Sequence, residues 1–246
     1  MEQAKSMSES RAIQWNSRAI SHVGAVRKNN EDSYLHRPDL GLWVVADGMG
    51  GHAAGDVASQ TVVECMTQMP ANGSLSALVD AAEDKLLEAN RRLLALAVNQ
   101  HQRTIGSTAV ALLARGGYAA CLWAGDSRVY RVRGKKTERL TQDHAMVEDL
   151  VSSGLMSRDE AISHPQANRI TRAIGAMPGL FVDVEIFSLE PNDIYVLCSD
   201  GLYKELTDAE IGKTLNGDEQ SVDALINLAL ERRARDNVTA IAVRFT

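Results

Sequence analysis

The chain has 246 residues, 45% hydrophobic and 24% charged, enough to bury a substantial core in one large domain or two small ones. Its 26 Lys and Arg against 32 Asp and Glu leave a net charge of −6, which argues against a general binder of nucleic acid or of anionic membranes. The N-terminus, "MEQAKSMSES", is polar and no run approaches the roughly 18 apolar residues of a spanning helix, so a cytoplasmic soluble protein is expected.

Residues 1–15 read as a flexible tail and 16–246 as a single domain, because no linker or repeat divides the chain. The first strands are "ISHVGAV" and "GLWVVAD", separated by the turn-rich "RKNNEDSY". A helix is predicted from Ala53 to about Met69. A second, from Leu75 to Asn99, places Leu75, Leu78, Val79, Ala82, Leu86, Ala89, Leu93 and Ala97 on one face. "STAVALLAR", "YAACLWAGD" and "RVYRVRG" then read as an antiparallel meander turning at Gly116 and Gly117. From Met146 to Arg169 the chain is charged and only weakly apolar, which predicts a surface flap at about 146–169.

Strands resume with "VDVEIFSL" and "DIYVLCSDG", helices follow near Thr207–Leu215 and Ser221–Arg233, and "VTAIAVRF" closes the chain. Grouped strands with helices in two sets predict an α+β sandwich, sheets inside and helices outside. Cys65, Cys121 and Cys198 stand far apart among apolar residues and read as buried thiols in a reducing compartment.

One pattern carries chemistry. Three apolar strands each lead to an aspartate, "LWVVAD" to Asp47, "AACLWAGD" to Asp126 and "IYVLCSD" to Asp200, and Asp236 in "RARDNVT" precedes the last strand. Singly, each is an ordinary turn residue. Together at one rim they would repel unless a cation neutralises them. Oxygen donors without paired Cys or a His motif favour Mg²⁺ or Mn²⁺ over zinc, and no EF-hand loop is present. Gly48 would let a backbone carbonyl approach an ion. Arg27, just before Glu31 and Asp32, suits bidentate phosphate recognition. Two metals with a phosphate-clamping Arg point to phosphoryl hydrolysis. No Cys-x5-Arg, P-loop or nucleophile elbow offers another route. A phosphate-recognising module without activity and a metal-dependent phosphodiesterase stay open as alternatives.

Over about Ile20 to Val243 the chain resembles the metal-dependent protein serine/threonine phosphatases, the type 2C phosphatases of the PPM class, in their short bacterial form. The resemblance is carried in order by "GAVRKNNEDS", "VVADGMGGHAAGDVAS", "GSTAV", "AGDSRVYRVR", "LTQDHA", "HPQANRITRAIG", "VLCSDGL" and "RDNVTAI". It implies a four-layer α-β-β-α sandwich of two central antiparallel sheets flanked by helices, and a centre of two Mn²⁺ or Mg²⁺ ions. Asp47 would bridge both ions, Asp200 and Asp236 would complete one site, and the Gly48 carbonyl would serve the other. Glu31 and Asp32 would act mainly through metal-bound waters, and Arg27 would hold the substrate phosphate. A third, weaker ion would use Asp126 with Asp200. The partners implied are phosphorylated proteins, targets of a serine/threonine kinase, with no nucleic acid and no membrane, and the chain is expected to be a monomer.

One departure is chemical. Many eukaryotic relatives carry a His two residues after the bridging Asp, and here that position is Met49. The leaving alkoxide still needs a proton. A metal-bound water is the first candidate donor, with His52 and His164 behind it.

Overall fold

The computed structural model describes residues 13–50, 54–100, 104–216 and 221–246. Eleven strands and seven helices lie among them, in the order β1 (Trp15–His22), β2 (Asp32–Arg37), β3 (Leu42–Gly50), α1 (Ala54–Met66), α2 (Leu75–Asn99), β4 (Ile105–Ser107), β5 (Ala109–Arg115), β6 (Tyr118–Ala124), β7 (Arg128–Arg133), β8 (Lys136–Arg139), α3 (Met146–Ser152), α4 (Arg158–Ser163), β9 (Asp183–Ser188), β10 (Ile194–Cys198), α5 (Asp200–Tyr203), α6 (Asp208–Leu215), α7 (Ser221–Glu231) and β11 (Val238–Phe245). One sheet runs β1-β11-β10-β7-β8 and the other β2-β3-β5-β6-β9, with β4 added beside β3. Every pairing is antiparallel.

The continuous apolar blocks follow from the layering. On β3, Leu42, Val44 and Ala46 pack with α1 and α2, whereas Trp43 and Val45 face the other sheet. On β10, Ile194, Val196 and Cys198 pack with α5, α6 and α7, and Tyr195 and Leu197 meet β3 and β5 across the middle. A strand covered on both faces has no reason to alternate with polar residues. Trp43, Phe245 and Trp15 form edge-to-face contacts at one end of the inter-sheet core, with ring centroids 5.8 to 6.4 Å apart. The expected α-β-β-α sandwich is the observed fold.

The long helix α2 has the predicted bounds. Ser74 caps it by accepting the Ala77 N–H, and its apolar stripe is buried from Leu78 to Ala97. All three cysteines are buried and free.

Several expectations need correction. The first strand is Trp15–His22, not "ISHVGAV": Gly24 turns the chain with φ +80°, and the strand's register with β11 reaches back to Trp15 opposite Phe245. The chain is therefore paired from Gln14, whose N–H donates to Thr246 O, inside the stretch expected to be a tail. The charged "DSYLHR" is the strand β2, held by its pairing to β3 and not by its own composition. Helix α1 ends at Met66, with Thr67 to Met69 in a turn before Pro70, and Ala53 lies outside the described residues. The meander does not continue past β6. Gly125, with φ +112°, carries the chain across the sandwich, and β7 pairs with β10 in the opposite sheet.

The 146–169 excursion is two short helices over a small apolar cluster of its own, Ala145, Val147 and Ala161. Its base is pinned by an antiparallel bridge between Ala145 and Ile170 and by the Met146 N–H donating to Arg169 O. No helix among the described residues is long and apolar enough to cross a membrane.

Candidate active site

Alternation along β3 decides where Asp47 points. Trp43 and Val45 face the gap between the sheets, so Asp47 faces it too, at the rim where the gap opens. It does not end the strand, which pairs on to Gly50 against β4. Asp126 comes from the crossover after β6, Asp200 is the first residue of α5 after β10, and Asp236 stands two residues before β11. Both sheets therefore feed one cleft of about 350 Å³, bordered by Asp47, Gly48, Asp126, Asp200 and Asp236 with Arg27, Glu31, Met49 and Lys204.

Backbone contacts fix this floor. The Asp47 carbonyl accepts from the Thr108 N–H at 2.8 Å and from Ser107 Oγ at 3.0 Å, and the Asp47 N–H donates to Thr108 Oγ1 at 3.1 Å. Gly48 N–H donates to Glu31 O at 3.0 Å. A Cβ at Gly48 would fall 1.8 Å from Gly55 O and 2.8 Å from Glu31 O, so only glycine fits between the helix α1 and the Glu31 loop. Asn237 ties the Glu31 loop to the Asp236 loop. Its Oδ1 accepts the Glu31 N–H at 2.8 Å, and its Nδ2 donates to Val23 O and Asn29 O.

Asp32 is opposite Asp47 in the β2–β3 register and buried, and it does not border the cleft. Ser199 Oγ and Thr239 Oγ1 each donate to its Oδ2 at 2.7 Å. On the far side, His144 steadies the crossover: Gly125 N–H donates to its Nδ1 at 3.0 Å, which leaves Nε2 to donate to Asp183 Oδ2 at 3.0 Å. Burial lowers the His144 pKa, the pull of Asp183 notwithstanding.

The acids raise one another. Burial, then the charges of Asp32, Asp200, Asp126 and Asp236, push Asp47 well above the usual carboxylate range. Burial, with Asp200 next, takes Asp126 up to about 7. Asp32 also rises to about 7, through burial and despite its two hydroxyl donors. Glu31 is raised by burial against the pull of Arg27. Two cations answer this charge. Arg27 grips Asp236 with Nε and Nη2, both at 2.9 Å, and Lys204 pairs with Asp200 Oδ2. Burial would depress the Lys204 ammonium, but Asp200, Asp126 and Asp236 hold it above the ordinary lysine value.

Among the described residues no three His, Cys, Asp or Glu side chains already close around a metal position. The donor set nevertheless fits hard divalent cations, being carboxylates and a backbone carbonyl at an open cleft. Asp200 Oδ1 is buried with no hydrogen-bond partner, a costly arrangement that a coordinated cation would relieve.

His164 does not border the cleft; it follows α4, where its Nδ1 accepts the Gln166 N–H at 3.2 Å. His52 lies outside the described residues. No histidine among the described residues borders the cleft. Residues that sequence reasoning passed over include Lys204, Asn168, Thr108, Asn237 and His144. Thr108, Asn237 and His144 sit inside motif strings already quoted, whereas Lys204 gave no signal except its place four residues after Asp200.

A cleft of carboxylates beside a guanidinium, at the rim of an α-β-β-α sandwich, has the donor set that a metal-dependent hydrolase of phosphate esters requires. The family model "Protein phosphatase 2C" matches residues 21–240. The fold superposes on PppA, a key regulatory component of T6SS in Pseudomonas aeruginosa, with a TM-score of 0.88 and 43% identity, over 95% of this chain and 98% of that one. It also superposes on the catalytic domain of the serine/threonine protein phosphatase PstP in complex with two manganese ions, with a TM-score of 0.84 and 32% identity, over 95% of this chain and 99% of that one. The serine/threonine phosphatase stp of Listeria welshimeri is 30% identical over 233 residues, 89% of this chain and 92% of its own length. The chain belongs to the protein phosphatase 2C family of metal-dependent serine/threonine phosphatases.

Proposed function

We propose that this cleft hydrolyses phosphoserine and phosphothreonine in phosphoproteins, reversing a serine/threonine kinase, with two Mn²⁺ or Mg²⁺ ions held by Asp47, the Gly48 carbonyl, Asp200 and Asp236. The observation that carries the reading is the convergence of four aspartates from two sheets on one cleft, with Asp200 Oδ1 buried and unpartnered. When bound, the two cations would activate a water molecule and offset the charge that builds on the phosphoryl oxygens.

The chain's own residues do the rest. Arg27 presents two parallel N–H donors, now taken by Asp236, and a phosphate entering the cleft would compete for the same fork. Glu31 stands at the cleft wall, and Asp32 behind Asp47 supports the floor through Ser199 and Thr239. The flap contributes Asn168 to the cleft wall, beside Ile170 at its base, where a protein substrate would meet it. In the reaction the bond from phosphorus to the seryl or threonyl oxygen breaks, a bond from water oxygen to phosphorus forms, and the leaving oxygen takes up a proton. Met49 borders the cleft and has no proton to give.

Turnover of a phosphopeptide against Mn²⁺ concentration tests activity, cofactor and substrate class together. Asp200→Asn is expected to lower kcat/KM by more than about a hundredfold with the fold intact. Undiminished turnover in that variant, or in excess EDTA, would overturn the proposal.

A further inference from the structure

Asp200 divides its carboxylate. Oδ2 is paired with the Lys204 ammonium, four residues on at the end of α5, while Oδ1 is buried without a partner. One oxygen is thus already neutralised by the protein and one is left for an ion.

Lys204 also borders the cleft together with Asp126, and the adjoining groove beneath the flap, again with Asp126. Asp126 is buried at this same corner. Asp126 and Asp200 are the pair that a third metal ion would use. An ion there would meet an ammonium already in contact with one of its two ligands. It would have to repel or displace that ammonium, leaving a partly buried charge unpaired.

We infer that Lys204 is a built-in substitute for a third metal ion: its ammonium supplies the positive charge at the Asp126–Asp200 corner, and the chain takes up two divalent cations, not three. The inference rests on the two-cation reading above.

The test is a count of bound Mn²⁺, with free ion measured by electron paramagnetic resonance in equilibrium with the purified full chain up to millimolar metal. The wild type is expected to saturate at two ions. Lys204→Met and Lys204→Gln should each gain a weaker third, and adding Asp126→Asn to either should remove it. A third ion in the wild type that Asp126→Asn abolishes would overturn the inference, as would saturation at two in both Lys204 variants. If neither variant folds, the wild-type count alone decides. Fewer than two ions in the wild type would instead overturn the two-cation reading, and this inference with it.

Discussion

Arg27 and Asp236 show how a binding residue looks without its ligand: the guanidinium fork spans both carboxylate oxygens at 2.9 Å, although both side chains are substantially exposed. An exposed pair of this kind contributes little to stability, so its removal should be read in kinetics. Arg27→Ala is expected to raise KM for a phosphopeptide about tenfold to a hundredfold, the loss of one charge-assisted phosphate contact, with the melting temperature unchanged. An equal fall in kcat at unchanged KM would show that Arg27 engages only the transition state.

The residue types at this site were legible only in combination: one aspartate at a strand end is an ordinary turn residue, whereas four that meet at one rim call for a cation. Lys204 was not, because a lysine just past a short helix is an ordinary surface residue until its neighbour is known. Met49 stood out only by resemblance, and its place on the cleft wall keeps it informative.

At the scale of elements, the strands and the two long helices on the β3 side were readable from apolar runs and from the 3.6-residue stripe of α2. The elements missed were short or polar. Strand β2 owes its conformation to its partner β3, and the four-residue α5 to the turn that Ser199 and Asp200 make at the rim. Of the flap's two helices, α3 starts from Ala145 without a side-chain cap, whereas α4 has a local device. In α4, Ser157 accepts the Glu160 N–H while Glu160 accepts the Ser157 N–H, a reciprocal cap. With only a small cluster beneath it, α4 depends on that cap. Ser157→Ala should weaken α4 by about 1 kcal/mol, seen as faster amide hydrogen exchange confined to residues near 158–163. Faster exchange spread through β3 and β10 would mean that the flap is coupled to the core.

The whole molecule concentrates negative charge where its two sheets open, and that has a sign in pH. Asp126 has a folded-state pKa of about 7 against an ordinary value of 3.8. The folded chain therefore holds a proton there that the unfolded chain has released, and metal-free stability from this group is lost as pH rises from about 4 through 7. In EDTA, the melting temperature of Asp126→Asn should rise relative to the wild type between pH 5 and pH 8, followed by circular dichroism. A constant difference across that range would sink the argument. Mn²⁺ should raise the wild-type melting temperature more at pH 8 than at pH 5, because metal and protons compete for the same oxygens.

By itself the sequence determined the layers and the ligand types. Hydrophobic periodicity is a local property, and a carboxylate's hard-donor chemistry needs no neighbours to be known. Only the tertiary structure decided the meeting. The crossover at Gly125 sends β7 to the second sheet and leaves Asp126 at the mouth between them. The alternation of β3 turns Asp47 into that same gap, and Lys204 is set on Asp200. The same packing brings Asp47 and Asp236 to one cleft and joins Arg27 to Asp236 across 209 positions of the chain. No local pattern encodes which side chains share a cleft; the packing of one sheet against the other does.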